Sequence, residues 1–95
     1  MARNTEHVGV FAISVAAGMV AMEIQNLRVY ERRGLVDPDR TAGGSRLYSP
    51  ADISRLHRIK ELLAEGLNIA GIAKVLELEA KVLRLKAENA RLRSE

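Results

Sequence analysis

The last quarter of the chain constrains the fold most. Asn68 is placed to cap a helix that runs to about Ser94, and at about 1.5 Å per residue such a helix is roughly 39 Å long. Along it Val75, Leu78, Val82, Leu85, Asn89 and Leu92 alternate in steps of three and four. This is the a/d seam of a coiled coil with one polar a position, Asn89. A single helix cannot bury its own seam, so the pattern predicts dimerisation against a partner helix, most simply that of a second copy. Leu76 and Leu83 make a second stripe that either packs on the chain's own domain or widens the seam. The flanking charges leave orientation open. In a parallel pair Lys74 would attract Glu79 and Glu88 would attract Arg93, but Lys81 would repel Lys86.

In a chain of 95 residues, a helix of that length leaves room for one small domain. The expected division is a flexible tail over 1–9, a compact head over 10–67, and the helix over 68–95. Val8 to Ile13 is apolar and suits a short strand. Ile13, Ala16, Ala17 and Val20 then fall on one helical face, with Ser14 as the expected N-cap. A second helix starts near Glu23. Its expected buried side is Ile24 and Leu27, and Gln25, Arg28, Val29 and Arg32 share its outer face. Gly34 suits the C-terminal cap. Asp37 to Ser49 reads as a hairpin turning on Gly43 and Gly44. The next helix has the clearest start in the chain, with Ser49 as N-cap, Pro50 at the first position and Asp52 at the third. Its apolar face is Ile53, Leu56, Ile59 and Leu63, and Gly66 ends it.

Several function classes fall away on residue content. The chain has no cysteine, which removes a thiolate metal site, a disulfide scaffold and a cysteine nucleophile. Its two histidines, His7 and His57, are far apart, so neither a metal centre nor a cofactor is expected. No catalytic constellation stands out, and an enzyme is not expected. The longest apolar stretch, Val8 to Met22, is broken by Gly9, Ser14 and Gly18 and is shorter than the roughly 20 residues that span a bilayer. A cytoplasmic protein is the expectation.

What remains points to nucleic acid. The net charge is +3. Two short helices joined by a tight turn, the second with an amide and arginine outer face, suit entry into a DNA major groove. Gln25 and Asn26 offer amides to base edges, and Arg28 and Arg32 can reach guanine or phosphate. The hairpin that follows carries Arg40 and Arg46 around Gly43 and Gly44, which permit close approach to a phosphate strand. A dimerisation helix after such a unit supplies the two-fold symmetry that paired half-sites need.

With these residues in place the chain resembles the MerR family of bacterial transcription regulators. The resemblance rests on Leu27 to Val36, on Pro38-Asp39-Arg40-Thr41, on Gly44 to Pro50, on Asp52 through Leu56, and on Gly66 to Ile72. The tracts Val15 to Met19 and Asn68 to Leu78 are most similar to the heat-shock repressor branch, the HspR-like proteins of actinobacteria. The resemblance implies a mainly α fold, a winged helix-turn-helix DNA-binding domain with a C-terminal coiled-coil helix, antiparallel in the family. It places Gln25, Asn26, Arg28, Tyr30 and Arg32 on the recognition helix. It assigns Arg40, Gly43, Gly44, Arg46 and Tyr48 to the wing and its support, and it makes Arg55 and Arg58 candidates for flanking phosphates. Four positions depart from the family pattern: Ala21 at a turn usually held by glycine, Glu23 at the recognition-helix cap, and Val29 and Ser45 where aromatics are frequent.

The function expected is a sequence-specific transcriptional regulator acting as a homodimer on a near-palindromic operator. A repressor is favoured because no effector domain follows the coiled coil. A promoter-distorting activator and a coiled-coil adaptor without operator specificity are the alternatives. The resemblance also brings a DnaK-type chaperone or RNA polymerase as protein partners and the bacterial nucleoid as the place of action.

Overall fold

The computed structural model describes residues 5–94, so residues 1–4 of the expected tail and the last residue lie outside it. A single 3-10 turn over Thr5–His7 precedes strand β1 (Phe11–Ala12). Helices α1 (Ile13–Val20) and α2 (Ile24–Arg32) follow, then strands β2 (Asp39–Arg40) and β3 (Arg46–Tyr48), then helices α3 (Pro50–Ala64) and α4 (Ile69–Arg93). The fold is mainly helical with one small antiparallel sheet. Among the described residues no helix is long and apolar enough to cross a membrane. Contacts divide the chain into a unit ending at Glu61 and a second beginning at Leu62.

In the first unit β3 is the central strand, paired antiparallel with β1 on one side and β2 on the other. The expected strand over Val8 to Ile13 is shorter than its apolar run because Ile13 already opens α1. Val8 to Val10 is nevertheless held against the sheet. The Val10 N–H donates to the Tyr48 carbonyl at 3.0 Å, and the Gly9 N–H donates to Asp39 Oδ2 at 2.9 Å. Gly9 is required for this approach: a Cβ there would lie 2.6 Å from the Leu47 carbonyl oxygen and 2.8 Å from Asp39 Cβ.

Helix caps explain most of the element boundaries. Ser14 does not cap α1. Ala12 holds that position, and no side chain bonds to the helix start. At α3 the reciprocal pair expected from sequence forms: Asp52 N–H donates to Ser49 Oγ at 3.0 Å, and Ser49 N–H donates to Asp52 Oδ2 at 2.9 Å. Ser49→Ala should therefore lower stability by about 1 kcal/mol, read as a lower midpoint in thermal or urea unfolding with the fold unchanged. The C-termini of α1, α2 and α3 share one motif, in which a left-handed residue turns the chain so that the next N–H returns to the helix. Gly34 and Gly66 serve α2 and α3 with φ of 78° and 90°. Ala21 serves α1 with φ 53°, the one non-glycine residue at positive φ among those described.

The core of the first unit is Ala16, Ala17 and Val20 of α1, Leu27 and Tyr30 of α2, Leu35 and Val36 of the following loop, Tyr48 of β3, and Ile53, Leu56 and Ile59 of α3. Ile24 departs from expectation. It stands at the first position of α2 and is 36% exposed, and Tyr30, one turn beyond Leu27, takes the buried place instead. In α3 the apolar stripe continues through Leu62, which is buried, rather than Leu63, which is exposed. One residue is a 100° step around a helix, and either leucine continues the sequence period.

In the second unit the Asn68 side chain caps α4, accepting from the Gly71 N–H at 2.8 Å. Ile72 and Leu76 are buried. From Glu77 to Ser94 every residue is exposed, including Leu78, Val82, Leu83, Leu85, Asn89 and Leu92. Val75 is half-buried.

Candidate nucleic-acid interface

The turn between α1 and α2 sets the direction of α2. Ala21 in the left-handed region costs about 1 kcal/mol for its Cβ. Lys60 of α3 offsets this by crossing to the end of α1, where Nζ donates to the carbonyls of Val20 at 2.9 Å and Ala21 at 3.3 Å. A cation at a helix C-terminus also meets the negative end of the helix dipole. Glu23 caps α2 in extended conformation without a side-chain bond to the helix, as expected for a side chain too long for that task. With Leu27 and Tyr30 turned inward, Gln25, Asn26, Arg28 and Arg32 are left exposed on α2. Among the described residues neither Arg28 nor Arg32 is paired with a carboxylate. Tyr30, grouped with the recognition helix by resemblance, is buried, and that burial pushes its phenol pKa up. It anchors α2 and presents no surface to a ligand.

The wing is β2, its turn and β3. Gly44 takes φ 88°, and Thr41 closes the turn from both sides. Its carbonyl accepts from Gly44 N–H at 2.9 Å, its N–H donates to the Ser45 carbonyl at 2.8 Å, and its Oγ1 accepts from Ser45 N–H at 3.1 Å. Gly43, Gly44 and Ser45 are exposed at the tip. Tyr48 is 0% exposed, so it supports the wing from within and does not reach a surface. Burial raises its phenol pKa, and the nearby Glu31 charge adds to that.

Register places Arg40 directly opposite Arg46, a like-charge pair that would weaken the hairpin. Glu31 of α2 resolves it. Its Oε2 accepts from Arg40 Nη2 at 2.6 Å, and its Oε1 accepts from Arg46 Nε. Arg40 Nη1 donates in addition to the Gly44 carbonyl at 2.9 Å. One carboxylate thus ties both wing strands to α2. Burial alone would push the Glu31 carboxyl up. The hydrogen bonds and charges of Arg46 and Arg40 outweigh it and hold the pKa below the ordinary 4.5. A lowered folded value means the cluster's stabilisation is complete above about pH 4.5 and is lost as pH falls through the lowered value. Wild type should therefore melt higher than Glu31→Gln at neutral pH. The gap should close in acid melts, where Glu31 is protonated in both folded and unfolded chains.

Arg28, Glu31, Arg32 and Arg46 line one cleft between α2 and the wing. Arg55 and Arg58 are engaged elsewhere. Arg55 Nε donates to the Leu35 carbonyl and fastens the loop after α2, and Arg58 pairs with Glu61 at 3.1 Å. Three residues that organise the site were not singled out from sequence: Glu31, Lys60 and Asp39. The available signal for Glu31 was its place as the one acidic residue in the run Ile24 to Arg33.

In the second unit the a/d seam stands open. Leu78, Val82, Leu85 and Leu92 are each between 49% and 54% exposed, and Leu83, of the second stripe, is 70% exposed. No charged side chain occupies the seam positions themselves.

Comparison with known proteins bears on both units. Residues 11–79 match the MerR HTH regulatory-protein family. The heat shock protein HspR of Streptomyces coelicolor is 48% identical over 89 residues, covering 93% of this chain and 59% of the relative. The HTH-type transcriptional regulator GlnR of Bacillus anthracis is 35% identical over 91 residues, covering 93% of this chain and 70% of the relative. The chain thus spans little more than half the length of the Streptomyces relative. Among solved structures, HiNmlR, a MerR family regulator lacking the sensor domain and bound to promoter DNA, superposes with a TM-score of 0.66. The match covers 87% of this chain and 75% of that one at 20% identity, a likeness of fold.

Proposed function

The chain belongs to the MerR family of HTH regulatory proteins, and from that membership we propose that it is a sequence-specific DNA-binding transcription regulator acting as a homodimer on a near-palindromic operator. The observation that carries the proposal is the exposed row Gln25, Asn26, Arg28 and Arg32 on a short helix beside a glycine-tipped wing. In this reading α2 enters the major groove. Gln25 and Asn26 pair with base edges, Arg28 reads guanine or grips the strand beside it, and Arg32 takes a phosphate. The wing lies along flanking backbone, with Gly43 and Gly44 allowing close approach and Arg40 and Arg46 supplying positive charge. Arg55 and Arg58 add to the field near the flanking phosphates. The seam from Val75 to Leu92 closes on a second copy, so that two recognition helices address two half-sites.

Repression is the direction we favour, from the likeness to HspR, with promoter distortion as the second reading. A DnaK-type chaperone for a repressor, or RNA polymerase for an activator, is the protein partner proposed on family resemblance. The cytoplasm and nucleoid are the place of action. The competing reading, a coiled-coil adaptor, separates by salt. Duplex binding measured by fluorescence anisotropy should weaken steeply with salt, with a log–log slope that counts the phosphates neutralised. An affinity for duplex that is absent, or indifferent to salt, would favour the adaptor.

A further inference from the structure

We propose that Glu31 restrains sequence-blind DNA binding by cancelling part of the wing's positive charge, so that discrimination rests on the uncancelled arginines of α2. The inference deepens the DNA-binding reading and rests on it. The wing places two guanidinium groups opposite each other, Arg40 on β2 and Arg46 on β3. A chain selected only to hold phosphate would leave both cations available. Instead a single carboxylate from the recognition helix takes one N–H from each. The three side chains differ in exposure in an instructive way: 46% for Arg40, 25% for Arg46 and 17% for Glu31. The cations face outward and the anion sits behind them. An approaching phosphate therefore meets two positive groups whose charge is partly spent on a charge-assisted pair that is already formed.

Non-specific affinity scales with net charge neutralised along the backbone, because each phosphate contact releases condensed counterions. Two cations and one anion present about half the charge of two free cations. Arg28 and Arg32 lie in the same cleft and carry no such partner among the described residues. They keep their full charge for the groove. The geometry consequently separates two tasks: α2 reads, and a partly neutralised wing positions. Because Glu31 is itself on α2, it also locks the wing to the helix that reads.

The test is non-specific binding, where base contacts do not contribute. Anisotropy on a duplex of unrelated sequence, over a range of potassium chloride, gives the slope of log affinity against log salt. Glu31→Gln keeps the shape of the side chain and removes the charge. In a homodimer the change is made in both wings, so it is expected to steepen the slope by about 1.8, two phosphate equivalents. On dilution of salt from about 200 to about 50 mM its affinity should then rise by roughly twelvefold more than that of wild type. Arg32→Gln should move the slope the opposite way by a similar amount. The double variant Glu31→Gln with Arg40→Gln restores the wild-type wing charge and should restore the wild-type slope. A purely structural role for Glu31 would loosen the wing and weaken binding, so a slope for Glu31→Gln equal to or shallower than wild type overturns the proposal. If Glu31→Gln alone does not fold, the comparison is made in the Arg40→Gln background, where the facing-arginine repulsion is gone. There adding Glu31→Gln should again steepen the slope, and no change overturns the proposal. A wild type that binds with a steep slope while Glu31→Gln matches it defeats this inference alone. A wild type that binds no duplex defeats the DNA-binding reading and this inference with it.

Discussion

Leu85→Asp is expected to turn a dimer into monomers while leaving each head folded. Leu85 lies in the middle of the exposed a/d seam, between Val82 and Leu92, and is 54% exposed in the single chain. The substitution disturbs nothing in the chain's own core. In a two-fold dimer it is made twice. Burying a leucine side chain is worth about 1.5–3 kcal/mol, so losing two removes roughly 3–6 kcal/mol, and a carboxylate forced into the seam adds a desolvation cost. At about 1.4 kcal/mol per decade, dimer dissociation should strengthen by at least a hundredfold. Operator affinity should fall with it, because two linked heads gain roughly 10²–10⁴ over one. Sedimentation equilibrium reads the first effect and anisotropy on operator duplex the second, with circular dichroism as the check that helices persist. A wild-type chain that is monomeric at micromolar concentration would defeat the dimer proposal before any variant is made.

Arg28→Ala is expected to act in the opposite pattern, with the dimer intact and specific binding reduced. Arg28 is exposed on α2, one residue past the buried Leu27, and shares the cleft with Arg32. A bidentate arginine contact to guanine is worth about 1–3 kcal/mol of discrimination, and symmetry repeats the loss in each half-site. Non-specific affinity should fall only by the one charge removed from each protomer. The ratio of specific to non-specific affinity is therefore the quantity to measure. An unchanged ratio would remove Arg28 from the reading surface and leave it a phosphate contact.

These two residues also show what the amino-acid order made legible. Leu85 belongs to a period that repeats along one helix, and the Ser49/Asp52 and Asn68 caps are local in the same sense. Each is a relation within a few residues, so each can be read without knowing the fold. The unusual Ala21 was visible for the same reason, since a turn residue's backbone demand is local. Glu31 was not visible in its role. On a helix rich in arginine a glutamate reads equally well as an ordinary solvated charge. Only the hairpin that returns β2 and β3 beside α2 brings Arg40 and Arg46 to it, nine and fifteen residues away. Lys60 is more remote still, reaching a helix end about forty residues earlier in the chain. Tyr30 is placed on the recognition helix by position in a motif, whereas burial makes it an anchor of α2; Tyr48, placed with the wing and its support, is buried on the supporting side. Gly9 looked like a break in an apolar run and is the point where Leu47 and Asp39 crowd the backbone. What escaped the sequence in each case is a long-range approach of two segments.

The most direct measurement is selection of bound sequences from a random duplex pool by the wild-type chain, with the recovered sequences rebound at low and high salt. Enrichment of an inverted repeat whose binding falls steeply with salt is the result expected of a dimer that reads two half-sites through α2. Recovery of no shared sequence, with weak binding that ignores base order, would contradict operator specificity and leave the long helix as the protein's principal contact surface.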